Sequence, residues 1–130
     1  MRAEGTFDVQ LPPQAEDKGE GSTLGRRTII KQFHGDLAGS SRGEMLAALM
    51  DGGSAVYVAI ERVTGTLQGR QGSFVLVHNG VSTAEGQSLT ISVAPGSGTR
   101  ELAGLAGHMT LRIEDGHHFY DLEYTLPAGE

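Results

Sequence analysis

GSAVYVAIERVTGTL (residues 53–67), followed by QGRQ (68–71) and SFVLVHNG (73–80), is the stretch that decides the fold. Valine, isoleucine, tyrosine and threonine, side chains that suit a pleated and half-buried surface, dominate both arms. The glycine-containing tetrapeptide between them is a turn, so the unit is a β-hairpin. A two-residue type II′ turn takes glycine first, which points to Gly69-Arg70. In that register Gly65 faces Phe74, Val63 faces Leu76 and Glu61 faces His78, with Tyr57 and Ala59 on the same face. The other face carries Val56, Val58 and Ile60, then Val75 and Val77. A wall apolar on both sides has an outer surface to cover, and a second copy of the chain is the simplest cover, so a homo-oligomer is expected.

Outward from the hairpin, the same period of two recurs. Ala3, Gly5, Phe7, Val9 and Leu11 alternate with Glu4, Thr6, Asp8 and Gln10, and Pro12-Pro13 ends that strand. Residues 14–22 (QAEDKGEGS) read as a mobile, solvated loop. Residues 26–34 form the second strand, with Ile29, Lys31 and Phe33 on one face and Ile30, Gln32 and His34 on the other. Residues 39–50 fit a short helix by propensity, but Ser41, Gly43, Met45, Ala47 and Leu49 also alternate, and the strand neighbours favour a strand. Further strands fall at residues 88–94 and 108–113, placing Leu89, Ile91, Val93, Met109, Leu111 and Ile113 inward. Residues 95–107 are a loop with one possible helical turn at 100–103, and Asp115-Gly116 turns the chain into a last strand at 117–126. Eight strands at roughly ten-residue spacing need closure to protect their edges, so the chain reads as one all-β domain over residues 1–130, a closed antiparallel eight-stranded barrel. A barrel of that size is either filled by side chains or holds one small ligand.

Composition narrows the functions. With no cysteine among 130 residues, a disulfide framework, thiolate catalysis and cysteine-held zinc are excluded, and a reducing, cytoplasmic setting is expected. Residues 1–11 contain no apolar run of signal-peptide type, and no stretch approaches a membrane span. A formal charge of −6, four phenylalanines, three tyrosines and no basic stripe argue against a nucleic-acid partner. Twenty glycines, spread between the apolar alternations, mark turns and barrel corners.

The candidate chemistry centres on Glu61 and His78, a carboxylate and an imidazole opposed on an otherwise apolar face. Such a pair serves proton transfer or orients a polar ligand, although a purely structural ion pair has equal weight. Around them, Tyr57, Phe74, Tyr120 and Tyr124 are the candidate lining of the lumen; the last two share a face with His118 and Leu122, and core packing with the hydroxyl at the rim is the favoured reading for them. His34, at a strand end before a glycine turn, is placed at the pocket mouth near Lys31 or Asp36; satisfying turn backbone is its competing role. His117 and His118 point to opposite faces of a strand, so with Asp115 and Asp121 they make no metal site. Ser97-Gly98-Thr99 lacks the lysine and long helix of a phosphate loop. No cofactor is expected.

Four segments, LGRRTIIKQFHGDLAGSSRGEML (24–46), YVAIERVTGTLQGRQGSFVLVHNG (57–80), GTRELAGLAGHMTL (98–111) and DGHHFYDLEYTL (115–126), resemble the bacterial family known as domain of unknown function 3224. The likeness runs in order over nearly the whole chain. SGTRELAGLAG (97–107) is also similar to the glycine-rich loop of allene oxide cyclases and plant dirigent proteins. The resemblance implies a calycin-like barrel of the allene oxide cyclase type with a central cavity, whose relatives steer reactive hydrophobic intermediates. It implies no reaction for this chain, because fold does not fix function.

Three readings follow. In the first the barrel binds a small, largely apolar molecule, oriented by Glu61 and His78. In the second an isomerase or cyclase uses that pair to move a proton. In the third a filled barrel serves only interaction. Whether the protein is an enzyme stays open. A cavity of roughly 300 Å³ or more with Glu61 and His78 in its wall separates the first two from the third, which requires a lumen plugged by Phe74, Leu76 and Tyr120.

Overall fold

In the computed structural model, which describes residues 1–127, period-two alternation runs through nearly every segment. The strands are β1 (Arg2–Gln10), β2 (Pro13–Lys18), β3 (Ser22–Gly35), β4 (Leu37–Met50), β5 (Ala55–Leu67), β6 (Arg70–Thr83), β7 (Gly86–Val93), β8 (Ala106–Glu114) and β9 (His117–Thr125). All pairings are antiparallel, in the order β1-β9-β8-β7-β6-β5-β4-β3-β2. Because β1 also pairs with β3, through Gly5↔Gly35 to Gln10↔Ile30, eight strands close into a barrel and β2 stays outside the ring. Among the described residues no helix is long and apolar enough to cross a membrane.

The stretch expected to be a loop after Pro12-Pro13 is partly strand. β2 pairs with the overhanging start of β3, Lys18↔Thr23 through Pro13↔Arg27. All six of its residues are exposed, so no apolar alternation announces it; its pairing with β3 is what makes it a strand. Residues 39–50 are strand: β4 keeps register with β3 and β5 along its length. Among the described residues the one helical turn is the 3-10 turn Arg100–Leu102.

The β5–β6 turn lies one residue earlier than expected. Leu67 pairs with Arg70, and the two turn residues, Gln68 (φ +46°) and Gly69 (φ +89°), both take the left-handed region that a type I′ turn requires. The register therefore moves by two residues. Gly65 faces Gly72, Val63 faces Phe74, Glu61 faces Leu76, and His78 faces Ala59. A shift of two keeps every side chain on its face, where a shift of one would have turned the hairpin inside out.

The barrel is unequal along its axis. Phe33, Leu37, Leu67, Phe74, Leu76 and Leu122 fill one half, and Leu102 and Leu105 from the 3-10 turn segment join them as a plug. Gly72 makes room for that plug, since a Cβ there would lie 2.2 Å from the Thr99 carbonyl oxygen. At the other end the wall parts. β7 and β8 share only two registered pairs, Ile91↔Met109 and Ser92↔His108. Ile91, Val93 and Met109 are buried as expected and Leu111 is half-buried, but Leu89 and Ile113 are 42% and 66% exposed. They have the inward parity and lie beyond the point where the two strands separate.

Outside, Leu46, Val56, Val58, Ile60, Val77 and Val81 form an exposed apolar area on β4, β5 and β6. Val75, expected among them, is half-buried: its backbone bonds to Ala94 and to the Ser97 side chain of the following loop.

Candidate functional site

Four consecutive strands each send one polar side chain into the lumen. β3 supplies Lys31, β4 Ser41, β5 Glu61 and β6 His78, and all four are buried. Each stands at an inward position between apolar neighbours, so the alternation that builds the wall also delivers the charge. Glu61 is fully buried, and three donors converge on it. Ser41 Oγ donates to Oε1 at 2.6 Å, Lys31 Nζ to Oε2 at 2.9 Å, and His78 Nε2 lies 2.5 Å from the same Oε2. Gly43, cross-strand from Glu61, permits the close approach of β4: a Cβ there would fall 2.1 Å from the Ile60 carbonyl oxygen and 2.8 Å from the Glu61 Cβ.

Burial alone pushes the Glu61 carboxyl up. The His78 hydrogen bond, the Lys31 charge and the Ser41 hydrogen bond outweigh it and hold the group well below the usual carboxylate range, at about 2. Glu61 is therefore a carboxylate, and His78 presents Nε2–H to it, which leaves His78 Nδ1 without its own proton in the neutral ring. Nδ1 makes no hydrogen bond among the described residues, and no unpartnered buried side-chain nitrogen is sealed from solvent there. It is open to the lumen. The Lys31 ammonium also sits 4.9 Å from the Phe7 ring centroid and 5.7 Å from that of Phe33, a cation–π setting that stabilises charge in an apolar wall.

Above this cluster, in the unfilled half, is a chamber of about 170 Å³. Lys31 and His78 form its polar side, Phe7, Val9, Ile29 and Leu111 much of the apolar side, and Tyr57 and His118 its rim. A second hollow of about 280 Å³ adjoins it at the β4–β7 end, sharing Met45 and Tyr57. The Tyr57 ring lies against Gly80, where a Cβ would meet it at 2.4 Å. Burial, and then the Glu61 charge, raise the Tyr57 hydroxyl pKa. A larger hollow of about 600 Å³ lies along the outer side of β1, β9 and β8, lined by Thr6, Arg112 and Phe119, away from the buried charges.

Of the residues expected at the site, Tyr57 and His78 lie in the chamber wall and Glu61 stands directly behind it. The others lie elsewhere. Phe74 is packed into the filled half. The Tyr120 hydroxyl accepts from the Leu37 amide at 2.8 Å and donates to the His34 carbonyl at 2.9 Å, clamping the β3–β4 turn. The Tyr124 hydroxyl bonds to Gln68 at the β5–β6 turn. His34 points outward, more than half exposed, with Nε2 3.1 Å from Asp8. The expected cavity of 300 Å³ with both members of the pair in its wall is not met: the chamber measures about 170 Å³, Glu61 lines neither it nor the adjoining hollow, and Phe74, Leu76 and Tyr120 plug the other half. Lys31, Ser41 and His118 were missed as site residues. For Lys31 the signal was present, a lysine at an inward position between Ile29 and Phe33; Ser41 and His118 stood on inward faces without a mark to separate them from packing residues.

Among proteins with curated descriptions, none matches this chain. A crystal structure of a protein of unknown function from the DUF3224 family of Shewanella oneidensis MR-1 superposes with a TM-score of 0.92 at 45% identity, covering 98% of each chain. The family described as Protein of unknown function (DUF3224) matches residues 3–124. With that span and that likeness, the chain belongs to the DUF3224 family.

Proposed function

We propose that the unfilled half of the barrel binds a small, largely apolar molecule, whose polar end Lys31 and His78 orient while Glu61 holds both in place. One observation carries the reading: a buried, fully paired charge cluster forms one side of a chamber whose remaining wall is mostly apolar. A core that served stability alone gains little from such a cluster, since buried ion pairs roughly break even against apolar packing. Pockets that combine apolar walls with a few convergent polar groups are the usual form of small-molecule sites. Native mass spectrometry of the purified chain tests it, together with amide NMR of the protein titrated with a fragment set. Retained small molecules, or shifts confined to Tyr57, His78, Leu111 and His118, support binding; no retained mass and no shift at those residues overturns it.

A second reading has its own observation. A histidine whose Nε2–H is backed by a buried carboxylate and whose Nδ1 is open resembles a general base in its orienting frame. In an isomerase or cyclase, His78 would take the proton and Glu61 would position it. Outside the barrel, we infer that a second copy of the chain covers the apolar area on β4, β5 and β6.

A further inference from the structure

Glu61 is sealed off. Its Oε1 accepts from Ser41 and its Oε2 from Lys31 and His78, and the side chain has no exposed surface, so it is out of a ligand's reach. Lys31 is the opposite case. Its ammonium carries three N–H donors, and its one hydrogen bond among the described residues goes to Glu61. Against the two N–H donors that Lys31 has left, the polar side of the chamber offers one open acceptor, His78 Nδ1, so donors are in excess and a ligand that satisfies them brings an acceptor. Charge selects the acceptor further. Lys31 and Glu61 cancel, so with the His78 ring neutral an uncharged oxygen adds no net charge to the buried site, whereas an anion would leave one uncompensated. Size sets the rest: a cavity near 150 Å³ admits a single six-membered ring, and this chamber measures about 170 Å³.

Resting on the binding reading above, we propose that the chamber takes a small neutral carbonyl compound, a ketone, enone or lactone of about one ring, whose oxygen accepts from Lys31 Nζ. The carbon skeleton lies against Phe7, Val9, Ile29 and Leu111.

The test compares three probes of similar shape on the full chain by amide NMR titration: cyclohexanone, methylenecyclohexane, which has no acceptor, and cyclohexanecarboxylate, which is charged. A hydrogen bond from a charged donor gives the ketone an advantage of about tenfold over the hydrocarbon. The Lys31→Met/Glu61→Gln double variant removes both charges together, so no orphan ion is left buried, and the ketone preference should vanish while Tyr57 and Leu111 still shift. The carbonyl signal of carbon-13 cyclohexanone should move downfield on binding to the parent chain, and this decides the matter if circular dichroism shows the double variant unfolded. Equal binding of ketone and hydrocarbon sinks the carbonyl proposal and leaves a purely apolar binding site. Tightest binding of the carboxylate also sinks it, in favour of an anion site. Absence of any shift at the chamber residues with all three probes sinks the binding reading itself.

Discussion

Glu61 is the residue on which the interior charge depends, and its environment sets a pH signature. Its carboxyl is held at about 2 against an ordinary 4.5. A group whose pKa is depressed on folding contributes stability in full above its unfolded pKa and loses it as pH falls toward the folded one. The contribution, on the order of 3 kcal/mol, is thus complete above pH 4.5 and fades as pH drops toward 2. Urea unfolding of the parent chain over that window should show the decline, and Glu61→Gln should flatten it; parallel curves for the two proteins would refute the assignment. Lys31 supplies the complementary case. Lys31→Met leaves a buried carboxylate short of its cation and should cost about 3–5 kcal/mol at neutral pH. Adding Glu61→Gln to that variant should recover much of the loss, and a double variant no more stable than the single one would show that the ammonium acts through packing instead.

At the scale of the strands, close approach and separation are both built into the wall. Gly39 and Gly65 face each other across β4 and β5, and a Cβ on either would lie 2.2 Å from a carbonyl oxygen of the opposite strand. Gly39→Ala should therefore lower stability by about 2 kcal/mol, read as a shift of the urea midpoint at unchanged slope. The β7–β8 seam is the converse, with its strands joined over two registered pairs. Amides of residues 86–90 and 110–114 that point into the seam should exchange with solvent faster than those pointing to β6 or β9, and equal protection on both sides would argue against an open wall. The seam also explains what the sequence hid. Leu89 and Ile113 have the right parity for the core, and parity is visible in the pattern, but how far two strands stay together is a tertiary matter. The hairpin turn shows the same limit. Gly69 announced a turn, yet its partner was Gln68, a residue whose positive φ no propensity foretold. Because the resulting shift was by two, Glu61 and His78 kept their face and met on the diagonal.

For the molecule as a whole, alternation and turn signals sufficed to place eight strands in a closed ring, while β2 escaped because none of its side chains is buried. Of the site, the Glu61–His78 contact was legible from face and proximity; the decision that Tyr120 and Tyr124 bond to backbone and turn, and not to a ligand, depends on distances that no pattern carries. The outer apolar area makes its own prediction. Light scattering at micromolar concentration should give a mass above 13.7 kDa, and Ile60→Glu, placed on the most exposed strand position of that area, should return the monomer. A parent chain that is already monomeric would remove the self-association. The division into a packed and a hollow half has a further consequence, in the molecule's response to hydrostatic pressure. Pressure favours states with fewer packing defects, and here the loosely packed wall around the open chamber lies at one end of the axis. Compression should therefore act unevenly: in high-pressure NMR, Tyr57, Leu111 and His118 should bend away from linear shifts at pressures where Phe74, Leu102 and Leu122 still respond linearly, so that the barrel yields first at its open end.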